Sequence, residues 1–108
     1  MKLLDRPELK RAQKHFEIAA AASREHDRLV SRLLKRHGDG NGVQVSGIIR
    51  DHFPEKAKAR LCALCHVICE ENDAGVAARP AGVWLKTMHE LAREVCRRDG
   101  TGFYGYRI

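Results

Sequence analysis

Long apolar runs are missing from this 108-residue chain. No stretch reaches the ~18 apolar residues that span a bilayer. Asp5, Arg6, Glu8, Lys10 and Arg11 interrupt the N-terminal segment, where a secretory signal needs an apolar run of about 7–15 residues. The expectation is a soluble, cytoplasmic protein without membrane contact and with reduced thiols. Internal repeats are also missing, and the length allows one modest core, so solenoids and multi-domain enzymes are excluded. A second Cys-x-x-Cys is absent, so the paired ligand motifs of structural zinc are not there. The glycine-rich string 38–42 lacks the Lys-Ser/Thr of a phosphate loop. It also lacks the glycine of a calcium loop, because Gln44 stands sixth from Asp39. Aromatic residues are few, and Phe103, Tyr104 and Tyr106 crowd the last six positions. Such a tail is either docked on the body or a partner-binding segment.

What remains is a helical pattern in an ordinary composition, 44% apolar and 31% charged, which argues against wholesale disorder. Residues 6–37 read as one helix. Asp5 is its expected N-cap, with Glu8 three residues later and Pro7 in the first turn. Leu9, Ala12, Phe16, Ala19, Val30 and Leu33 form its apolar stripe, with Ser23 and His26 on the same line. Gly38 ends it. Residues 43–53 form a short second helix, with Val45, Ile48, Ile49 and Phe53 on one face. Pro54 separates it from a third, 55–73, whose stripe is Ala57, Leu61, Leu64, Cys65 and Ile68. Gly75 is its expected C-terminal stop. Glu70, Glu71 and Asp73 oppose the dipole at that end and call for a cationic neighbour such as Arg79 or for early fraying of the helix. A fourth helix, 80–99, is expected to start at Pro80, bury Trp84, Met88, Leu91 and Val95, and stop at Gly100. The fold class is thus all-α: a single small orthogonal or bundle-like domain, 1–108, of about four helices.

Cys62-Ala63-Leu64-Cys65-His66 matches the covalent-haem pattern Cys-x-x-Cys-His, but that chemistry belongs outside the cytoplasm and no export signal accompanies it. Cys62, Cys65, His66 and Cys69 are the candidate metal ligands. Cys65 lies on the apolar stripe, so the cysteines read better as small core residues. A core-facing thiol is also unsuited to nucleophilic catalysis, so neither enzyme activity nor a cofactor is expected.

The clearest chemical signal is charge. The net charge is +6. The first 54 residues hold 11 Lys and Arg against 7 acids, and the last 54 hold 9 against 7, so the excess is mainly N-terminal. Arg24, Arg28, Arg32, Lys35 and Arg36 concentrate late in the first helix, with Lys56, Lys58 and Arg60 opening the third. A small basic helical domain suits phosphate neutralisation on nucleic acid. His26 to Phe53 also has a helix-turn-helix outline, with a glycine-containing turn before a short helix. Val45-Ser46-Gly47-Ile48-Ile49-Arg50 resembles the helix opening of small ribbon-helix-helix repressors, although the strand that precedes it in that family is absent. Arg79 to Leu85 is similar to a helix start in some plasmid and phage replication initiators. No residue's role is carried over from either. The leading expectation is a DNA-binding protein of regulatory or mobile-element (phage or plasmid) type. Arg28, Arg32, Lys35, Arg36, Arg50, Lys56 and Lys58 would make its contacts. The alternative is a protein-interaction module, such as a phage-type inhibitor of a host nucleic-acid-processing protein. A homodimer is compatible with either.

Overall fold

The computed structural model describes residues 2–37 and 45–100, and among them no strand occurs. Two 3-10 turns, Leu3–Asp5 and Pro7–Leu9, lead into α1 (Lys10–His37). The short α2 (Val45–His52) is followed by α3 (Glu55–Ala77) and α4 (Leu85–Arg98). The 28 residues of α1 give it a length of about 42 Å at the usual helical rise. It therefore runs nearly the whole long axis of a body measuring 48 × 21 × 19 Å.

α3 lies antiparallel against α1. His15 meets Glu71 and Phe16 meets Gly75, while further along α1 Glu25 meets Arg60 and Leu33 packs with Leu61. The pair is aligned along its length rather than crossed. α4 runs in the same direction as α1, with Arg98 reaching Glu17 and Arg24 reaching the Asp99 carbonyl. The apolar stripe expected on α1 is real: Leu9, Ala12, Phe16, Ala19 and Leu33 are buried, and Val30 is half-buried. The turn 38–44 and the tail 101–108 lie outside the described residues.

Several expectations need correction. α1 begins at Lys10, not at residue 6, and Asp5 caps nothing. Its N–H closes a 3-10 turn on Lys2, and Glu8 pairs with Arg6 instead of completing a capping box. These turns let Leu3 and Leu4 pack on the core beside α4. α3 does not stop near Gly75 but continues to Ala77, with Gly75 buried inside it. A Cβ there would sit 2.5 Å from Phe16 Cε1, so this glycine serves close helix approach, not termination. Arg79 is not the neighbour of the acidic cluster. Its guanidinium donates to the Val83 carbonyl, while His15 Nδ1 lies 2.7 Å from Glu71 Oε2. α4 starts at Leu85, because Gly82 adopts φ +82° and Val83 closes a turn on Pro80. Val83 takes the buried position and Trp84 is left 78% exposed.

The cysteine expectation fails most clearly. Cys62, Cys65 and Cys69 are exposed, and Cys96 alone of the four is buried. α3 packs mainly against α1, and its Val76 also packs against the cluster that α1 and α4 share. A helix covered by one partner buries a narrow stripe, here Leu61, Leu64, Asn72 and Gly75, and Cys65 falls beside it.

Candidate nucleic-acid interface

α1 has two longitudinal stripes. The apolar one packs on α3 and, through Leu9, Ala12 and Phe16, in the cluster shared with α4. Beside it, Gln13, Glu17, Ala20, Arg24, Arg28, Ser31 and Lys35 follow in steps of three or four, so they share a second face. α4 covers the first part of this face. Arg98 Nη2 lies 2.5 Å from Glu17 Oε2, and Arg24 Nη1 donates to the Asp99 carbonyl at 3.4 Å. Glu17 and Asp99 hold the Arg98 guanidinium more firmly protonated than usual through these hydrogen bonds. α4 then ends. Gly100, at φ +71°, adopts the conformation that favours glycine after a helix C-terminus.

Beyond that end no described residue covers the second face of α1. It lines an open groove with Arg24, Asp27, Arg28, Ser31, Arg32, Lys35 and Arg36, closed at one end by Asp99 and Gly100. Five cations there face two carboxylates. One of these, Asp99, is engaged by Arg98, and the other, Asp27, lies 3.6 Å from His26. Between Arg28 and His37 the chain has no acidic residue, so Asp27 is the one carboxylate that α1 itself contributes to the described groove lining. Elsewhere Arg6, Arg60, Arg97 and Arg98 all pair with carboxylates. Among the described residues no ion pair engages Arg28, Arg32, Lys35 or Arg36. Lys35 and Arg36 also suit the negative end of the helix dipole, worth ~0.3–1 kcal/mol each. Arg24, Arg28 and Arg32 lie too far from that end for the dipole to explain them, because its effect fades beyond the last turn.

Four of the seven residues expected at a nucleic-acid site, Arg28, Arg32, Lys35 and Arg36, thus share one groove. Arg50 belongs to α2, with its side chain outside the described set. Lys56 is exposed on the first turn of α3, and Lys58 is half-buried, 3.4 Å from Glu55. Neither lines the groove. Arg24 was left out of the expected site, although its i, i+4 spacing from Arg28 marks it. Asp99 and Gly100 join only through the packing of α4, which local spacing does not reveal. α2 is anchored through Phe53 and Ile49, which pack with Leu29, Val30, Leu33 and Leu34 of α1 and Leu61 of α3.

On α3, Cys62, Cys65, His66 and Cys69 are all exposed. Partial burial of the thiol, with its neighbours Cys69 and Cys62, pushes Cys65 above the ordinary thiol range. That is the wrong direction for an activated nucleophile. Among the described residues no three His, Cys, Asp or Glu side chains converge as a metal ion would need. No described helix is long and apolar enough to cross a membrane. No protein-family profile, no curated protein and no solved structure matches the chain.

Proposed function

We propose that the protein binds DNA non-enzymatically, through the basic groove on the C-terminal half of α1. The observation that carries this is the acid-free row Arg28, Arg32, Lys35 and Arg36, exposed where α4 stops. From Arg24 to Arg36 the row extends about 18 Å along the helix axis. Duplex DNA carries one phosphate charge per ~1.7 Å of its own axis, so a row of that length can neutralise several phosphates. Among the described residues the groove lining has no aromatic residue. Single-strand grooves rely on aromatic stacking, so a duplex backbone is the better match. In this reading the chain is a small bundle of about four helices with a helix-turn-helix-like middle. It acts in a regulatory or mobile-element (phage or plasmid) setting. The groove positions the protein on phosphates, and α2 with Arg50 is the element available to a DNA groove.

A mobility-shift assay at low salt tests it. Wild-type protein is expected to retard duplex DNA, and the triple variant Arg28→Ala/Arg32→Ala/Lys35→Ala to need much more protein for the same shift while keeping its helical content. No retardation by the wild type rejects the proposal. A protein-interaction module is the second reading, favoured by one observation: Trp84 stands exposed next to Leu85, and Trp is a preferred interface anchor. A pulldown returning one dominant protein after nuclease treatment, and losing it with Trp84→Ala, would favour that reading.

A further inference from the structure

α3 carries three free thiols, Cys62, Cys65 and Cys69, and all three are exposed. They follow at steps of three and four, so they share one flank of the helix, beside the stripe that packs on α1. No Asp, Glu, Lys or Arg stands between Leu61 and Cys69, so sulfur is the main donor on this stretch. Distance decides what such thiols can do. Side chains three or four apart on a helix have Cβ atoms about 5–6 Å apart. A disulfide needs its Cβ atoms about 3.5–4.5 Å apart. Two of these cysteines therefore cannot close on each other without distorting α3, and they stay separate sulfur donors. An ion set between them fits a wider gap. With bonds near the ~2.3 Å of zinc thiolates, two opposed sulfurs stand roughly 4–4.6 Å apart, which side-chain rotation reaches from the helical spacing.

Coordination number then selects the ion. Structural zinc and iron–sulfur clusters take four ligands. Among the described residues no three His, Cys, Asp or Glu side chains converge, and His66 lies about 100° round the helix from Cys65. Calcium and magnesium take oxygen ligands. Two thiolates alone satisfy a soft, closed-shell cation that binds linearly, and among the metals that thiolate selects this is monovalent copper. Cys65 has a thiol neighbour on each side. Its own thiol is pushed up first by partial burial, then by Cys69, and least by Cys62. Cys69 is therefore the neighbour whose sulfur bears on Cys65 most.

We propose that Cys65 and Cys69 form a two-thiolate site for a monovalent copper ion on the exposed flank of α3. Binding breaks two S–H bonds and forms two S–Cu bonds. Both protons pass to solvent, and copper keeps its oxidation state, so no oxidant or reductant is consumed. The bound unit carries one negative charge and stays at the surface, where water solvates it. The site uses α3 alone and does not depend on the α1 groove.

Anaerobic titration of the reduced full chain with monovalent copper, in competition with a weak coloured copper(I) chelator, tests the proposal. One copper per chain is expected, with two protons released at neutral pH and the sedimentation of the chain unchanged. Cys65→Ser and Cys69→Ser should each weaken binding by more than about 100-fold, beyond the ~10–100-fold that losing a partner of a ligand costs. Cys62→Ser should leave the affinity nearly unchanged. All three variants should keep their helical content, because the side chains are exposed. Four results overturn the proposal: no copper taken from the chelator, uptake that survives Cys65→Ser, a Cys62→Ser variant as damaged as Cys69→Ser, or half a copper per chain with two chains joined.

Discussion

The two halves of α1 live in different surroundings. Its first half is held between α3 and α4 in a cluster of ten buried residues, among them Leu9, Phe16, Met88, Leu91 and Val95. Its second half shares a cluster with three buried residues, Leu33, Phe53 and Leu61, ringed by partly buried neighbours. The difference follows from the length of α4, which ends at Arg98 beside Arg24. Where α4 lies, the second face of α1 carries Gln13, Glu17 and Ala20 and is covered. Where α4 is absent, the same face carries Arg28, Arg32 and Lys35, and no described residue covers it. Stability is concentrated at one end of the helix, and the charge available for a partner at the other.

The sharpest way to test this contrast is to remove one aromatic from each cluster. Phe16→Ala should cost about 3–5 kcal/mol in urea unfolding, the usual range for a fully enclosed ring. Phe53→Ala should cost about 2 kcal/mol, because its partly exposed neighbours can relax into the space. Equal losses would break the comparison. Next in size is Gly75→Ala. The added methyl overlaps the Phe16 ring, and overpacking costs about 1–3 kcal/mol, partly offset by the ~1 kcal/mol better helix propensity of Ala. A net loss of up to about 2 kcal/mol is expected, disappearing in a Phe16→Leu background, where the two sites should couple strongly. The groove substitutions Arg28→Ala, Arg32→Ala and Lys35→Ala should each shift stability by less than about 0.5 kcal/mol, as exposed changes do.

The smallest effect concerns pH. The hydrogen bond from Arg60, at 2.6 Å, holds the Glu25 carboxyl below its ordinary value of 4.5. Its stabilising contribution is therefore present above that value and fades as pH falls through the lower folded-state value. Glu25→Gln should remove a small part of the acid-side loss and leave the neutral-pH melting temperature almost unchanged. Both groups are exposed, so a large acid-side change on this substitution would contradict the assignment.

Periodicity made the helices and the α1 stripe legible, because a 3.6-residue repeat of apolar side chains reports burial directly. It also marked the basic row, whose spacing is local. Periodicity alone could not show how many neighbours a helix has. Cys65 reads as core only if α3 is covered over a wide arc, and one neighbour covers less. Gly75 and Trp84 failed for a related reason. A glycine signals either a stop or a close approach, and the Phe16 ring that decides between them lies 59 residues away. The buried site near the start of α4 was taken by Val83 through a turn whose geometry rests on Gly82.

The central claim is that the uncovered half of α1 is a phosphate-binding face. Its most direct test is the salt dependence of duplex binding, followed by fluorescence anisotropy for the wild type and for Arg28→Ala/Arg32→Ala/Lys35→Ala. Each phosphate contact contributes about 0.9 to the slope of log K against log salt, so the triple variant should lower that slope by nearly 3. A wild type that binds with the same slope as the triple variant would contradict the claim.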